Sequence, residues 1–470
     1  MHRRFLVILF LFVLIFSNAG TYFFARLTAK PAEMPAGWAG QENTLEENNI
    51  FEEVWGILKN NYIEPLDEEK LWWGAIEGML GSLDDPQTSF FRPEEMEELI
   101  IQTTGSFRGI GVEITEDEGD ILIIRVIEGT PADKEGLLPG DRIMEAGSDS
   151  LKDVGVEKAA SLLRGPKGTK VEIQVQRSGL EKPVSFSIVR DDIDRETVFA
   201  RLEEERIGYI EIVKFDKNTG KSFQQELSTL ETKGLEGLII DLRNNPGGLL
   251  DEAIEVGRNI VPEGVITRVV DRNGEVLNNY LSEAEPRPYP VVVLINEHSA
   301  SASEIIAGAL QDSKGAVLLG QPTYGKATVQ HLEDLSDGSG LRYTIAKYQT
   351  PDGRDLHQQG LSPDVEVELP EHYSLFYNPV PGKLEPGEAS EQAAVLQEML
   401  LLLGYDVEVT GVYNNETVEA VEAFQENSGI SSSGLLDTDT REKMRLALKE
   451  ASVQEDTQLQ EAVELLKKKQ

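Results

Sequence analysis

Hydrophobic periodicity changes three times along this chain, and that constrains its fold more than any single motif. From Asn43 to Ile101 apolar residues recur at helical spacing: Phe51, Val54, Trp55, Leu58 and Tyr62, then Leu71, Trp72, Ala75, Ile76, Met79 and Leu80. The turn-rich Gly81-Ser82-Leu83-Asp84-Asp85-Pro86 ends that pattern. From Gly105 short β-runs are separated by glycine and proline, as in Gly111-Val112-Glu113-Ile114, Ile121 to Ile127 and Val171 to Gln176. From Arg195 to about Pro370 buried-looking strands (Ile207 to Ile212, Gly237 to Leu242, Val291 to Asn296) alternate with helical segments. Past the linker Pro379-Val380-Pro381-Gly382 the pattern is helical again. One core cannot serve 470 residues of such mixed texture, so a multidomain α+β protein of roughly two to four folded units is expected.

The charge balance is 83 acidic against 44 basic side chains, a formal −39. That excludes a nucleic-acid partner, which demands a basic footprint, and argues against lying flat on anionic lipid. The absence of cysteine removes thiol proteases, disulfide frameworks and cysteine-ligated metals. The five histidines (His2, His298, His331, His357, His372) show no paired ligand spacing, so neither a metal nor another cofactor is expected. Basic residues precede an apolar run at one place only, where His2-Arg3-Arg4 leads into Phe5 to Leu27. That run is long enough for a membrane span with the remainder outside the cytoplasm. A cleavable signal is the rival, since Ser17-Asn18-Ala19 offers small residues for cleavage. Both readings export the chain.

Two strings carry chemistry. Asp241-Leu242-Arg243-Asn244-Asn245-Pro246-Gly247-Gly248 follows an apolar strand and precedes a helix, as does Glu297-His298-Ser299-Ala300-Ser301-Ala302-Ser303-Glu304. Thr323-Tyr324-Gly325-Lys326-Ala327-Thr328-Val329-Gln330 comes later. A serine at a strand-to-helix junction sits in the positive end of a helix field but still needs a base. A buried lysine, neutral at working pH, can be that base. A glycine pair after a strand can offer backbone N–H groups to an oxyanion. Taken alone, Ser299 and Ser303 fit a helix cap with Glu304 in its first turn, and Lys326 fits a surface lysine. Two decoys fail. Gly320 to Ala327 nearly spells a P-loop, but Ala327 replaces the hydroxyl that must hold magnesium. His298 with Asp312 suggests a Ser–His–Asp relay, but His298 lies only three residues before Ser301 and reads as a loop histidine.

Three resemblances follow. Phe107-Arg108-Gly109-Ile110-Gly111-Val112, Thr130-Pro131-Ala132 and Gly136-Leu137-Leu138-Pro139-Gly140-Asp141 resemble a PDZ domain. That resemblance implies a loop at Gly109, Ile110 and Gly111 binding the terminal carboxylate of a peptide that adds as a strand. Arg164 would help hold the carboxylate or couple the domain to its neighbour. Leu396-Gln397, Leu403-Gly404-Tyr405, Gly411-Val412-Tyr413, Thr417, Ala420-Val421 and Phe424-Gln425 resemble a three-helix peptidoglycan-binding domain, with Asn414 where that family usually has glycine. The strings around Ser301 and Lys326 resemble those of the carboxy-terminal processing peptidases, or tail-specific proteases, across about residues 45–370.

The last resemblance implies an α/β protease core of the crotonase-like ββα type. It puts the nucleophile on Ser301, the general base on Lys326 and its orienting partner on Gln330. The oxyanion hole falls on the N–H of Ala302 and of Gly247 or Gly248. Ala327 stands where the family usually has a second glycine. The expected organisation is an anchor or signal (1–27), linker and helical region (28–104), PDZ domain (105–193), protease core (194–375), linker (376–388), peptidoglycan-binding-like domain (389–450) and charged tail (451–470). The expected activity is exported serine endopeptidase action on protein C-terminal tails, with access regulated by the PDZ domain. Peptidoglycan, the membrane and a second copy docked through the N-terminal helices are the further partners expected. The alternative is a catalytically inactive envelope scaffold that binds peptide tails and cell wall.

Overall fold

The computed structural model describes residues 47–469, apart from the short stretches 97–98, 100–105, 118, 181, 204–205, 379 and 383. Among the described residues no helix is long and apolar enough to cross a membrane; the apolar run Phe5 to Leu27 lies outside them. The chain divides into two compact units, Met1–Gly78 and Met79–Gln470. In the first, the helix Glu47–Asn61 meets the helix that begins at Glu68. The Trp72 ring lies 4.6 Å from Trp55 and 5.7 Å from Phe51, and Lys59 pairs with Glu68 at 2.9 Å. The aromatic stripe therefore joins these helices, yet Phe51, Val54 and Trp72 stay exposed.

The second unit is built on a six-stranded sheet in the order 198–202, 207–212, 237–241, 291–295, 317–320, 365–366. Its first pair is antiparallel and the others are parallel. The central strand Val291–Ile295 is buried at every residue, as a parallel strand covered on both faces must be. Successive side chains point to opposite faces. Val291, Val293 and Ile295 share a core with Leu238, Ile240 and residues of the helices Thr219–Thr232, Leu250–Ile260 and Ala302–Asp312. Val292 and Leu294 face the other way, towards Ile207, Tyr209, Ile239 and Leu319.

The cover on that second face corrects the expectation of a charged tail. Residues Thr457–Lys469 form a helix whose Leu459, Ala462 and Leu466 are buried against the sheet, with Val463 partly buried beside them. These positions follow the i, i+3, i+4, i+7 pattern of one helix face. Three of its last residues are lysines and its mean composition is polar, which hides a narrow apolar stripe.

Beside this sheet, a five-stranded antiparallel sheet joins 89–91, 264–270, 276–282, 328–334 and 340–349. Residues 112–189 form a separate sheet in the order 112–117, 120–126, 142–146, 170–176, 184–189 around Ile121, Ile123, Ile143, Ile173 and Ile188. The Gly136 to Asp141 string has a local cause here. Gly136 ends the short helix Pro131–Glu135 at φ 83. Asp141, 1% exposed as a side chain, receives Arg177 through two bonds of 2.7 Å. The helices Glu391–Leu402, Asn415–Asn427 and Thr438–Glu455 form a third cluster. Ser390, Asn414 and Asp437 cap them, each side chain accepting a backbone N–H three residues on. Asn414, the departure from glycine, is thus a helix cap. Arg441 on the third helix reaches Asp117 of the 112–117 strand at 3.3 Å.

Replacing Leu466 with alanine is expected to lower stability by about 2–5 kcal/mol in urea unfolding of the full chain, as for a buried leucine. No change would mean that this helix is a loose tail after all.

Candidate active site

The parallel sheet brings the two strings together. Strands 237–241 and 291–295 are neighbours, with Asp241 opposite Leu294, so both loops leave from the carboxyl edge where α/β sheets place their sites. The outer two serines of the second string are structural. Ser299 and Ser303 are fully buried, and their hydroxyls donate to the carbonyls of Leu242 (2.8 Å) and Asn245 (2.9 Å). Ser301 between them is half-buried and starts the helix Ala302–Asp312 with φ 55 and ψ −114. A side-chain-bearing residue rarely adopts that conformation, and it persists only where the surroundings over-determine it.

One carboxylate does much of that holding. Glu304 is fully buried and accepts four hydrogen bonds. Its Oε2 receives the backbone N–H of Ser301 (2.9 Å) and of Lys326 (2.9 Å); Oε1 receives Thr323 Oγ1 (2.6 Å) and the Gly325 N–H (2.7 Å). Tyr348 makes a second link. Its hydroxyl lies 2.9 Å from the Ser301 carbonyl oxygen and within hydrogen-bonding reach of the Lys326 carbonyl. Burial, reinforced by Glu304, pushes the Tyr348 phenol well above its usual range, so it stays a donor. The serine turn and the lysine loop are thereby fastened to each other at the backbone.

The Lys326 ammonium has no hydrogen-bond or ion-pair partner among the described residues. Burial lowers its pKa below the usual 10.5 and the Arg342 guanidinium lowers it further, against the opposing charges of Asp85 and Glu304. Gln330, expected to orient this lysine, instead donates to Thr328 Oγ1 at 2.8 Å. The strand 328–334 bulges between Val329 and Gln330, and the threonine hydroxyl two residues back captures the amide. Ala327 is buried without a positive φ, so no second glycine is required there.

The glycine pair divides its work. The Gly247 N–H donates to Asn245 Oδ1 at 2.9 Å, which withdraws it from the oxyanion role that the sequence offered. The N–H groups of Gly248 and Ala302 have no hydrogen-bond partner among the described residues. Glycine is obligatory at both positions. A Cβ on Gly247 (φ 97) would stand 2.7 Å from the Ala300 carbonyl oxygen, and one on Gly248 (φ 148) 2.2 Å from that of Phe215. His298 is 67% exposed beside Glu297 and Asp312 pairs with Arg354, so the two do not form a relay to Ser301.

Flanking the 112–189 sheet, Gly109 ends the strand Ser106–Gly109, which pairs with 191–194. The N–H groups of Ile110 and Gly111 have no hydrogen-bond partner among the described residues. Gly111 (φ 92) packs so closely on Thr130 that a Cβ would fall 2.3 Å from its side chain. Arg164 is half-buried at the end of the helix Val156–Leu163.

The chain is 36% identical over 433 residues to the carboxy-terminal processing protease CtpA of Bacillus subtilis, covering 91% of this chain and 93% of that one. It belongs to the carboxy-terminal processing proteases of peptidase family S41. It is also 32% identical to CtpB of the same organism over 99% of both chains, and 39% identical to a carboxyl-terminal-processing protease of Synechocystis over 71% of this chain and 80% of that one. The Peptidase family S41 model matches residues 206–367 and the PDZ domain model 109–188. A peptidoglycan binding domain matches 389–444, and the N-terminal domain of the activating protease CtpB matches 14–94.

For a protease of this family the Glu304 and Tyr348 contacts stand out because little in the sequence points to them. Glu304 was visible as a first-turn acid three residues after Ser301, but nothing marked it as the anchor of the lysine loop. Tyr348 lies 47 residues from Ser301, in the strand Gly340–Gln349, with no motif around it. Substituting Glu304 with alanine would strand four donors, of which the two buried ones, Thr323 Oγ1 and the Gly325 N–H, each cost about 1–3 kcal/mol when left unsatisfied. The expected result is a markedly lower unfolding temperature together with loss of proteolysis. Parental stability in that variant would refute the anchoring role.

Proposed function

We propose that this S41 protease is an exported serine endopeptidase that cleaves proteins at or near their C-terminal tails with a Ser301–Lys326 dyad. The observation that carries the reading is the Glu304 carboxylate, which accepts the N–H of both Ser301 and Lys326. Neutral Lys326 takes the proton of Ser301 Oγ as that oxygen attacks the scissile carbonyl. The N–H groups of Gly248 and Ala302 receive the oxyanion, aided by the N-terminus of the helix Ala302–Asp312. The lysine ammonium then protonates the leaving amine. A water molecule, deprotonated by the same amine, releases the acyl group from Ser301 and restores both residues.

Gln330 enters this scheme as the group that turns from Thr328 towards Lys326 when substrate is bound. The N–H groups of Ile110 and Gly111, which have no partner among the described residues, support capture of a tail carboxylate, with Arg164 as its companion, and the bound strand gates access to Ser301. Export rests on His2-Arg3-Arg4 and the apolar run after them. Peptidoglycan is the ligand proposed for residues 389–450.

Ser301→Ala and Lys326→Ala are each expected to reduce cleavage of a tailed protein by at least about 10³-fold while leaving the fold intact. Amidation of the substrate's C-terminus is expected to slow the parent enzyme. Equal activity in the parent and both variants would sink the dyad, and indifference to amidation would sink the tail requirement.

The pH profile gives a second test. The base must be neutral, so kcat/KM is expected to rise with pH through one ionisation placed below the 10.5 of ordinary lysine. Arg342 opposes the ammonium, so Arg342→Gln should move that midpoint up. Asp85 favours the ammonium, so Asp85→Asn should move it down. A midpoint unmoved by both variants would mean that lysine is not the titrating group.

A further inference from the structure

The loop that carries Gly248 is fastened at a place that the proposed chemistry does not use. Arg243 sits within the string 241–248 with its side chain 8% exposed, between two carboxylates that are each 5% exposed as side chains. On one side is Asp241, bonded to its Nε at 3.0 Å and its Nη2 at 2.6 Å. On the other is Asp456, which accepts from Nη1 at 2.9 Å and from Nη2 at 2.7 Å. Gln458 Oε1 accepts from Nη1 at 3.1 Å.

Asp456 comes from 213 residues away, at the break between the helices Thr438–Glu455 and Thr457–Lys469. The same carboxylate caps the second of these helices through the Leu459 N–H at 2.9 Å. Gln458 and Thr457 add bonds to the carbonyls of Val367 and Glu368. The junction is therefore fixed to the protease core and offers Arg243 a rigid acceptor.

From Arg243 the connection to the nucleophile is short. Asn244 has φ 57, and its N–H donates to Asn296 Oδ1, while its Oδ1 accepts from Asn296 Nδ2, both at 2.9 Å. Asn245 is fully buried, and its carbonyl accepts from the Ala300 N–H (3.0 Å) and from Ser303 Oγ (2.9 Å). Its Oδ1 holds the Gly247 N–H, which leaves Gly248 as the glycine with a free donor. A two-pronged guanidinium contact fixes orientation as well as position. The anchor lies at one end of an eight-residue loop whose other end presents the N–H that an oxyanion would use.

We propose that Asp456 is a positioning residue for catalysis: by clamping Arg243 from the C-terminal helix junction, it sets the Gly247–Gly248 backbone against Ser301. The proposal rests on the reading of Gly248 as an oxyanion donor. It makes the last helix of the chain part of the catalytic apparatus as well as a cover for the sheet.

The test uses the full-length protein with Asp456→Asn, which keeps the shape and one acceptor but removes the charge. A displaced oxyanion donor acts in the transition state rather than on substrate binding. The expected result for a tailed substrate is a fall in kcat of about tenfold to hundredfold with KM within about twofold, counted per folded molecule by circular dichroism. A parental kcat overturns the proposal. So does a loss of activity fully accounted for by the unfolded fraction, which is what a purely structural role gives. Should Asp456→Asn fail to fold, Arg243→Lys decides, because lysine keeps the charge and loses the fork. A fall in kcat alone supports the clamp, and a parental kcat overturns it. Ser301→Ala in the same assay separates the two ideas. Activity retained there defeats the Ser–Lys reading, whereas activity lost there beside a parental Asp456→Asn defeats only the clamp.

Discussion

A carboxylate removed from water must find hydrogen bonds or give up its charge, and the centre of this protein is organised around that demand. Glu304 is buried in the first turn of the helix Ala302–Asp312, and its four donors come from the turn before the helix and from the loop 323–326. Neither segment is a regular element, so neither could hold its shape through backbone pairing alone. By satisfying the acid they also fix each other. The serine turn and the lysine loop therefore form one rigid piece, although they leave from different strands of the sheet.

That rigidity bears on backbone strain. Ser301 and Asn244 both have positive φ without being glycine. Asparagine visits the left-handed region readily, so Asn244 is a mild case. Serine at φ 55 and ψ −114 is the costly one, at about 1–3 kcal/mol for a residue so placed. The restraints on it come from both sides: its N–H goes to Glu304, its carbonyl meets Tyr348, and Gly247 lies against its Cβ. The glycine pair is needed because the loop presses onto this turn without room for a side chain. Stability here serves to hold one hydroxyl in a conformation that its own backbone disfavours.

What the sequence revealed of this arrangement follows from how local each signal is. The strands Gly237–Asp241 and Val291–Ile295 were legible because a doubly covered parallel strand must be continuously apolar. The turn at Gly247–Gly248 and the helix start at Ser301 were legible because both lie within a few residues of a strand end. Glu304, Tyr348 and Asp456 were not, since their contacts are made across the fold and their residue types are common on surfaces. The docking of the helix Thr457–Lys469 on the sheet was not legible either, because its apolar face is only four residues, Leu459, Ala462, Val463 and Leu466, among charged neighbours. Gln330 shows a different limit. A motif position can name a residue without saying which of two nearby groups it will bond.

The same distinction between local and distant effects governs the charge. A chain at −39 would raise a lysine pKa if its acids acted together, because negative charge favours the ammonium. Most of those acids are exposed, and salt screens exposed charges beyond about 8 Å. The groups that matter to Lys326 are therefore its neighbours: Asp85 and Glu304 on one side, Arg342 on the other, with burial the largest influence. Each acid is already engaged. Asp85 accepts from Thr88, Thr344 and the Gln87 N–H, and Glu304 is saturated by its four donors. Among the described residues neither bonds to the side-chain nitrogen of Lys326, so neither fixes it as an ammonium. Arg342 is in turn held by the Gln87 carbonyl at 3.0 Å and stacks over Phe91, which keeps a permanent positive charge close by. In so acidic a protein the pKa of Lys326 is thus set by burial and near neighbours and not by net charge, and the segment 85–91 supplies both one of the acids, Asp85, and the anchor for the opposing cation.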